Sequence, residues 1–148
     1  MSYKERKESI SKWFDEYVLR TFNTPERFGH LKEYHINKSD DFLRKRSIRE
    51  RIDASTFLGD TEDILEMLKQ ALLDNREELI EYLADTDDFD NWEVFGSLPS
   101  NVTGHMYRNG MQHDWERGPI ICKSFKIACQ KKDSKLNNGF FIKTVYPV

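Results

Sequence analysis

Ile10, Trp13, Phe14, Tyr17 and Val18 recur at i, i+3, i+4, i+7 and i+8, a spacing that gathers all five on one face of a helix and leaves Lys and Glu on the other. The first twenty residues are therefore predicted to form an amphipathic helix. After Pro25 the stretch "ERFGHLKEYHINK" is a loop, and Ser39 with Asp40 and Asp41 behind it is an N-cap followed by acid in the first turn. A second helix is thus expected to begin near Asp40. "DASTFLGD" interrupts, and Asp60 opens a third helix whose buried stripe is Ile64, Leu65, Leu68, Ala71 and Leu72. "REELIEYLA" is a fourth, short one. Residues 85–104, "DTDDFDNWEVFGSLPSNVTG", lose all periodicity and gather Asp, Asn, Gly and Pro, which predicts an ordered surface loop with apolar anchors. From Met106 onward the pattern turns to strands: "PIICKSFKIAC" and "FFIKTVYPV", joined by "KKDSKLNNG", are predicted to pair as a long hairpin. Helices first and strands last argue an α+β protein, with N-terminal helices packed on a C-terminal antiparallel β-sheet, rather than a parallel α/β sheet.

A chain of 148 residues with 38% apolar residues suits one domain with a real core. The start, "MSYKERKESI", is polar, and nowhere do eighteen apolar residues run together, so neither a signal peptide nor a membrane span is expected. Cys122 and Cys129 are the two cysteines. Neither a zinc site nor a disulfide framework is indicated by that spacing. The net charge of −3 hides an asymmetry: residues 1–52 carry +4, residues 53–100 carry −12 and residues 101–148 carry +5. If the basic ends fold together they form a positive cleft suited to a polyanion, with the acidic middle facing elsewhere.

Candidate chemistry starts at Arg46. It follows Phe42 and Leu43 at i+4 and i+3, so it lies on the apolar face of the second helix. An inward guanidinium is costly unless an anion meets it, and that anion is either a substrate or a carboxylate of the acidic middle. On the last strand, simple alternation puts Phe140, Ile142, Thr144 and Tyr146 on one face and Phe141, Lys143 and Val145 on the other. Thr144 and Tyr146 then stand about 6.5 to 7 Å apart, a distance that suits two contacts on one nucleotide unit. His35 lies one short loop ahead of the Arg46 helix, and Gly29-His30 five residues earlier. An imidazole, a fixed cation and two hydroxyls, with no carboxylate pair and no metal ligands, form an inventory that fits phosphodiester cleavage without a metal.

"GHLKEYHINKSDDFLRKR", then "ASTF", a Leu-rich helix and the terminal "FFIKTVYPV" resemble the bacterial RNase A-like toxin domain at the C-terminal tips of contact-dependent growth-inhibition proteins. That family carries a G-H…H-V-G-K-[ST]…L-x-x-R block, a following S-T-F and a closing T-A-Y-P. The resemblance spans about Gly29 to Pro147, with residues 1–28 as N-terminal helix and lead-in. It implies an RNase A-like fold, His35, Arg46, Thr144 and Tyr146 as the active site, and His30 and Lys38 as substrate-binding residues. Asn37 stands where the family has glycine and Val145 where it has alanine. Asn tolerates a left-handed backbone almost as Gly does, and Val145 lies opposite Thr144 and Tyr146, so packing rather than chemistry is altered.

On this reading the chain is an endoribonuclease without cofactor or metal. His35 takes the proton of a ribose 2′-hydroxyl, Arg46 meets the phosphate, and the products are a 5′-hydroxyl and a 2′,3′-cyclic phosphate. Tyr146 donates to a phosphoryl or leaving oxygen, Thr144 bonds a base edge or phosphate, and the acid stays open among several groups, with His30, His105 and His113 as candidates. RNA is the substrate, tRNA included among the candidates, and DNA is not. The resemblance further implies a cognate immunity protein and, with it, action in the cytoplasm of a target bacterium; a monomer with no membrane partner is expected, and delivery on a larger secreted carrier is one route open to it. Two other readings compete: a barnase-like or tRNA-cutting toxin with a compact four-stranded fold, and a non-catalytic module binding RNA, or a basic protein through the acidic middle. The active-site reading requires His35 near Tyr146 and Arg46 not locked to an internal carboxylate.

Overall fold

The hydroxyl of Ser2 accepts a hydrogen bond from the Glu5 amide and starts helix α1, Tyr3–Thr21. Ile10, Phe14, Tyr17 and Val18 are buried along its predicted stripe, and Trp13 stacks on Tyr17 from the core's rim. A 3-10 turn at Pro25–Arg27 and a single π-helical turn at Leu31–His35 follow. Then Ser39, accepting from the Phe42 amide, caps α2 (Asp40–Glu50), as the sequence predicts. Asp60 likewise caps α3 (Thr61–Asp74), and α4 (Arg76–Ala84) comes next. The computed structural model describes residues 2–88, 90–110, 118–131 and 140–148.

Between α2 and α3 the chain forms strand β1, Ala54–Leu58. The other strands among the described residues are β2 (Trp92–Ser97), β3 (Thr103–Tyr107), β4 (Ile120–Cys122), β5 (Ser124–Lys131) and β6 (Phe140–Pro147). They pair antiparallel as two three-stranded sheets, β1-β3-β4 and β2-β5-β6. The protein is thus α+β, with helices mainly first. Three expectations need correction. "DASTFLGD" is not a mere interruption: Ala54, Ser55, Thr56 and Phe57 are all buried, and the short strand they make, at the edge of its sheet and covered by the Ile36 bridge, does not alternate between buried and exposed. Residues 85–104 are not all loop, because β2 and the start of β3 lie there. Their strand character comes from pairing with β5 and β1, distant in sequence, which the local Asp, Asn and Gly content hides. "PIICKSFKIAC" splits into β4 and β5, which belong to different sheets. The predicted β5–β6 pairing is present, and its connecting residues 132–139 lie outside the described residues.

The main core lies where α1, α3 and α4 meet the sheet β2-β5-β6; a smaller cluster of Leu43, Ala54 and Tyr107 sits under α2. Lys131 ties the end of β5 to α4, its buried ammonium donating to the carbonyls of Tyr82 and Asp85 at that helix's C-terminal end. Cys122 and Cys129 are buried free thiols.

A β-bulge positions the last strand. Phe125 faces Pro147 and Ala128 faces Thr144, but Cys129 then faces Ile142, so Lys143 is the extra residue. Phe140, Ile142, Val145 and Pro147 can therefore all be buried, while Thr144 and Tyr146 turn together to the opposite face. The expected sharing of one face by all of Phe140, Ile142, Thr144 and Tyr146 is thus corrected; the Thr144/Tyr146 pairing within it holds. Gly29 seats against this bulge. Its φ is +62°, and a Cβ there would stand 2.6 Å from the Lys143 carbonyl oxygen. Gly29→Ala is expected to lose about 2–4 kcal/mol from left-handed strain and backbone overlap. Urea unfolding checks this, and an unchanged midpoint would show that the bulge yields freely.

Candidate active site

His35 ends the π-helical turn, and its surroundings are set by β1. Ile36 bridges Phe57 in parallel, and the Asn37 amide donates to the Phe57 carbonyl at 2.7 Å. Asn37 takes the left-handed conformation, φ +50°, which asparagine accepts more readily than most residues. Its side chain accepts from the Gly59 amide at 2.9 Å and donates to the Gly59 carbonyl at 2.8 Å. The Lys38 amide donates to Thr56 Oγ1 at 3.0 Å. This lacing orients the imidazole: His35 is 8% exposed, and its Nδ1 lies 2.8 Å from the Ser55 carbonyl oxygen. A carbonyl only accepts, so Nδ1 carries the proton and Nε2 the lone pair.

Burial lowers the His35 pKa to about 4; the Ser55 carbonyl opposes the shift, and the charges of Arg46 and His30 add to it. The ring is thus neutral near pH 7. An unfolded histidine titrates near 6.5. The unfolded chain therefore binds the extra proton between pH 6.5 and about 4, so stability is full above pH 6.5 and falls as pH drops through that window. The loss should reach about 3 kcal/mol from this residue. Urea midpoints measured across the window should slope less in His35→Asn; equal slopes would mean His35 is not held neutral by the fold.

Arg46 is 9% exposed, as the inward placement on α2 predicts. Its guanidinium carbon lies 4.0 Å over the centre of the Tyr34 ring. Nε bonds the Glu50 carboxylate at 2.7 Å. The carboxylate is one turn along the same helix, not one from the acidic middle, and the expectation of an arginine clear of internal acids is corrected accordingly. The pairing is partial, since Nη1 is buried and has no hydrogen-bond partner among the described residues. A buried charged donor left open in this way costs about 1–3 kcal/mol and calls for an explanation.

Tyr146 brings the far end of the chain to the same place. Its ring centre is 6.1 Å from that of His35, and the Tyr34 ring centre is 6.3 Å from the same imidazole centre. Thr144, two residues before Tyr146, pairs with Ala128 and shares the outward face. His35 and Tyr146 thus meet where the helical half reaches β6, Arg46 is close enough for its charge to act on His35, and Thr144 follows on the face that carries Tyr146. His30 is exposed at the rim, 3.4 Å from Glu33, and close enough for its charge to act on His35. The Lys38 ammonium rests 5.3 Å from the Phe42 ring centre, on the first turn of α2. His105 lies on β3 with Nδ1 3.1 Å from Asp40, and His113 falls outside the described residues.

Four contributors escaped sequence reasoning: Tyr34 under Arg46, the Ser55 carbonyl, Glu50, and Lys126. Lys126 faces Tyr146 across the β5–β6 ladder, its ammonium 5.6 Å from the Tyr146 ring centre and 3.1 Å from Glu93. The Glu93 carboxylate holds that ammonium above its usual pKa, with the Tyr146 hydroxyl adding to the effect. A signal existed for Lys126, the lysine between inward Phe125 and Ile127 in "SFKIAC". Only strand pairing ties it to Tyr146. Among the described residues, no three His, Cys, Asp or Glu come together in a way that could hold a metal ion.

No protein-family model and no curated protein sequence matches the chain. A chain of the crystal structure of a CdiA-CT/CdiI complex from Y. kristensenii 33638 is similar in fold, with a TM-score of 0.62 and 20% identity. The match covers 81% of this chain and 99% of that one.

Proposed function

We propose that this chain is a metal-independent endoribonuclease with an RNase A-like fold, acting as the toxin domain of a contact-dependent growth-inhibition system. The observation that carries the chemistry is the orphaned Nη1 of Arg46, buried in the neighbourhood of a neutral imidazole whose free lone pair is at Nε2. A phosphodiester supplies the missing acceptor. His35 Nε2 then takes the 2′-hydroxyl proton, the alkoxide attacks phosphorus, and the P–O5′ bond breaks with a proton delivered to the leaving oxygen. The Arg46 fork stabilises the charge that accumulates on the phosphoryl oxygens. An anion beside His35 also offsets the Arg46 charge, favouring the imidazolium that proton transfer creates. Tyr146, whose ring centre is 6.1 Å from that of the imidazole, donates to the leaving or phosphoryl oxygen, and Thr144, two residues before it on the same face, bonds a base edge or phosphate. His30 and Lys38 serve as outlying substrate contacts.

The toxin context is supported by the sequence resemblance and by the fold shared with a chain of a CdiA-CT/CdiI complex. A cognate immunity protein covering this site, and action in the cytoplasm of a target bacterium, follow from that reading. In excess EDTA the purified chain is expected to cut RNA, leaving 2′,3′-cyclic phosphate ends, and to leave fully 2′-deoxy substrate intact. Cleavage of both at similar rates would end the mechanism. The Arg46–Glu50 pair favours a non-catalytic RNA-binding module instead; tight RNA binding with no product in the same assay would establish that reading.

A further inference from the structure

The outward face of the sheet β2-β5-β6 carries a row that begins in the site and leaves it. Tyr146 on β6 faces Lys126 on β5, and Lys126 faces Phe95 on β2. Adjacent strands are about 4.8 Å apart, so the row runs about 10 Å away from His35. The Lys126 ammonium lies between the two rings, 5.6 Å from the centre of Tyr146 and 5.9 Å from that of Phe95, and Glu93 holds it there at 3.1 Å. Phe95 is 61% exposed, whereas its neighbour Val94 is buried. A single exposed phenylalanine is ordinary on a protein surface. One that continues a catalytic row, with a cation between, is the aromatic-and-lysine sheet face on which single-stranded nucleic acid stacks its bases.

The order of the groups fixes which base. Resting on the ribonuclease reading above, and taking Tyr146 as the donor to the leaving oxygen of the two roles given there, the 2′-hydroxyl that attacks is at His35 and the leaving 5′-oxygen is at Tyr146. The row beyond Tyr146 therefore belongs to the nucleotide downstream of the scissile phosphate. We infer that Phe95 is the stacking platform for the nucleobase of that downstream nucleotide, with Lys126 holding the strand beside it. A base has a π-face whatever its identity, so this subsite supplies affinity more than sequence choice.

The test uses a dinucleoside monophosphate with a 2′-deoxy first residue, which cannot be cut, and the same compound abasic at its second residue. Each is titrated by NMR into the whole chain, into Phe95→Ala and into Phe95→Trp. Because one phosphate defines the register, the wild type should bind the base-bearing compound about tenfold more tightly than the abasic one. Phe95→Ala should bind the two alike, and Phe95→Trp should keep the difference. Wild type binding both compounds equally, or Phe95→Ala retaining the preference, overturns the subsite. Cleavage of the all-ribose dinucleotide is followed in parallel. Cutting without the Phe95-dependent preference leaves the nuclease standing and removes the platform, while the preference without cutting does the reverse. Neither binding nor cutting removes both.

Discussion

Replacing His35 by Asn should lower the rate of RNA cleavage by about 10³-fold or more, within the range that a positioned general base contributes. Asn is chosen because its amide nitrogen can stand near the place of Nδ1 and still donate to the Ser55 carbonyl, while nothing replaces Nε2. The fold is then retained and the base alone is lost. His35→Ala removes both and should be equally inactive but less stable. The wild type carries its own signature, because kcat/KM reports the free enzyme and the imidazole of the free enzyme is depressed to about 4. Its acid limb should therefore fall near pH 4 rather than near 6.5. Activity in His35→Asn within tenfold of wild type would remove His35 from the chemistry. An acid limb near 6.5 would instead show that the ring is solvated when substrate arrives.

Arg46→Met should separate activity from stability. The substitution removes the fork aimed at the phosphate, and losing one such donor to a developing oxyanion costs about 10²–10³ in rate. It also removes a buried donor without a partner, which relieves about 1–3 kcal/mol of desolvation. Against that stand the lost stack on Tyr34 and the pair with Glu50, whose carboxylate is exposed enough to rehydrate. Net stability is expected to stay level or rise by about 1 kcal/mol, read from urea midpoints. Inorganic phosphate should raise the melting temperature of the wild type and not of Arg46→Met. A variant that unfolds readily, yet cuts RNA normally per folded molecule, would make Arg46 a structural residue held by Glu50. Arg46→Lys keeps a charge without the planar fork and should recover little of the rate.

These two residues also show how differently parts of the site could be read. Arg46 was legible because a helix has one period: the spacing from Phe42 and Leu43 alone puts it inward, and it is inward. The positive φ of Asn37 was legible because few residues accept it. Glu50 was in plain view at i+4 from Arg46, but helix geometry does not say whether an arginine meets its own helix or a ligand. Tyr146 and Thr144 were legible as a pair two apart. Their company on the strand was not: the Lys143 bulge breaks the alternation, and a bulge is decided by the partner strand's register rather than by residues 140–147.

Local patterning by itself determined the four predicted helices, the caps at Ser39 and Asp60, the β5–β6 pairing, the α+β order and the inward face of Arg46. Periodicity and capping act between residues a few positions apart, and one chain carries all of that information. Tertiary structure alone decided that β1 is a buried strand at the edge of its sheet, that β2 exists, that Ser55 sets the proton on His35, and that Lys126 and Phe95 extend the row from Tyr146. Each of these is a contact between segments tens of residues apart. Their strength comes from excluding water and meeting a particular partner, and no local pattern encodes which partner that will be.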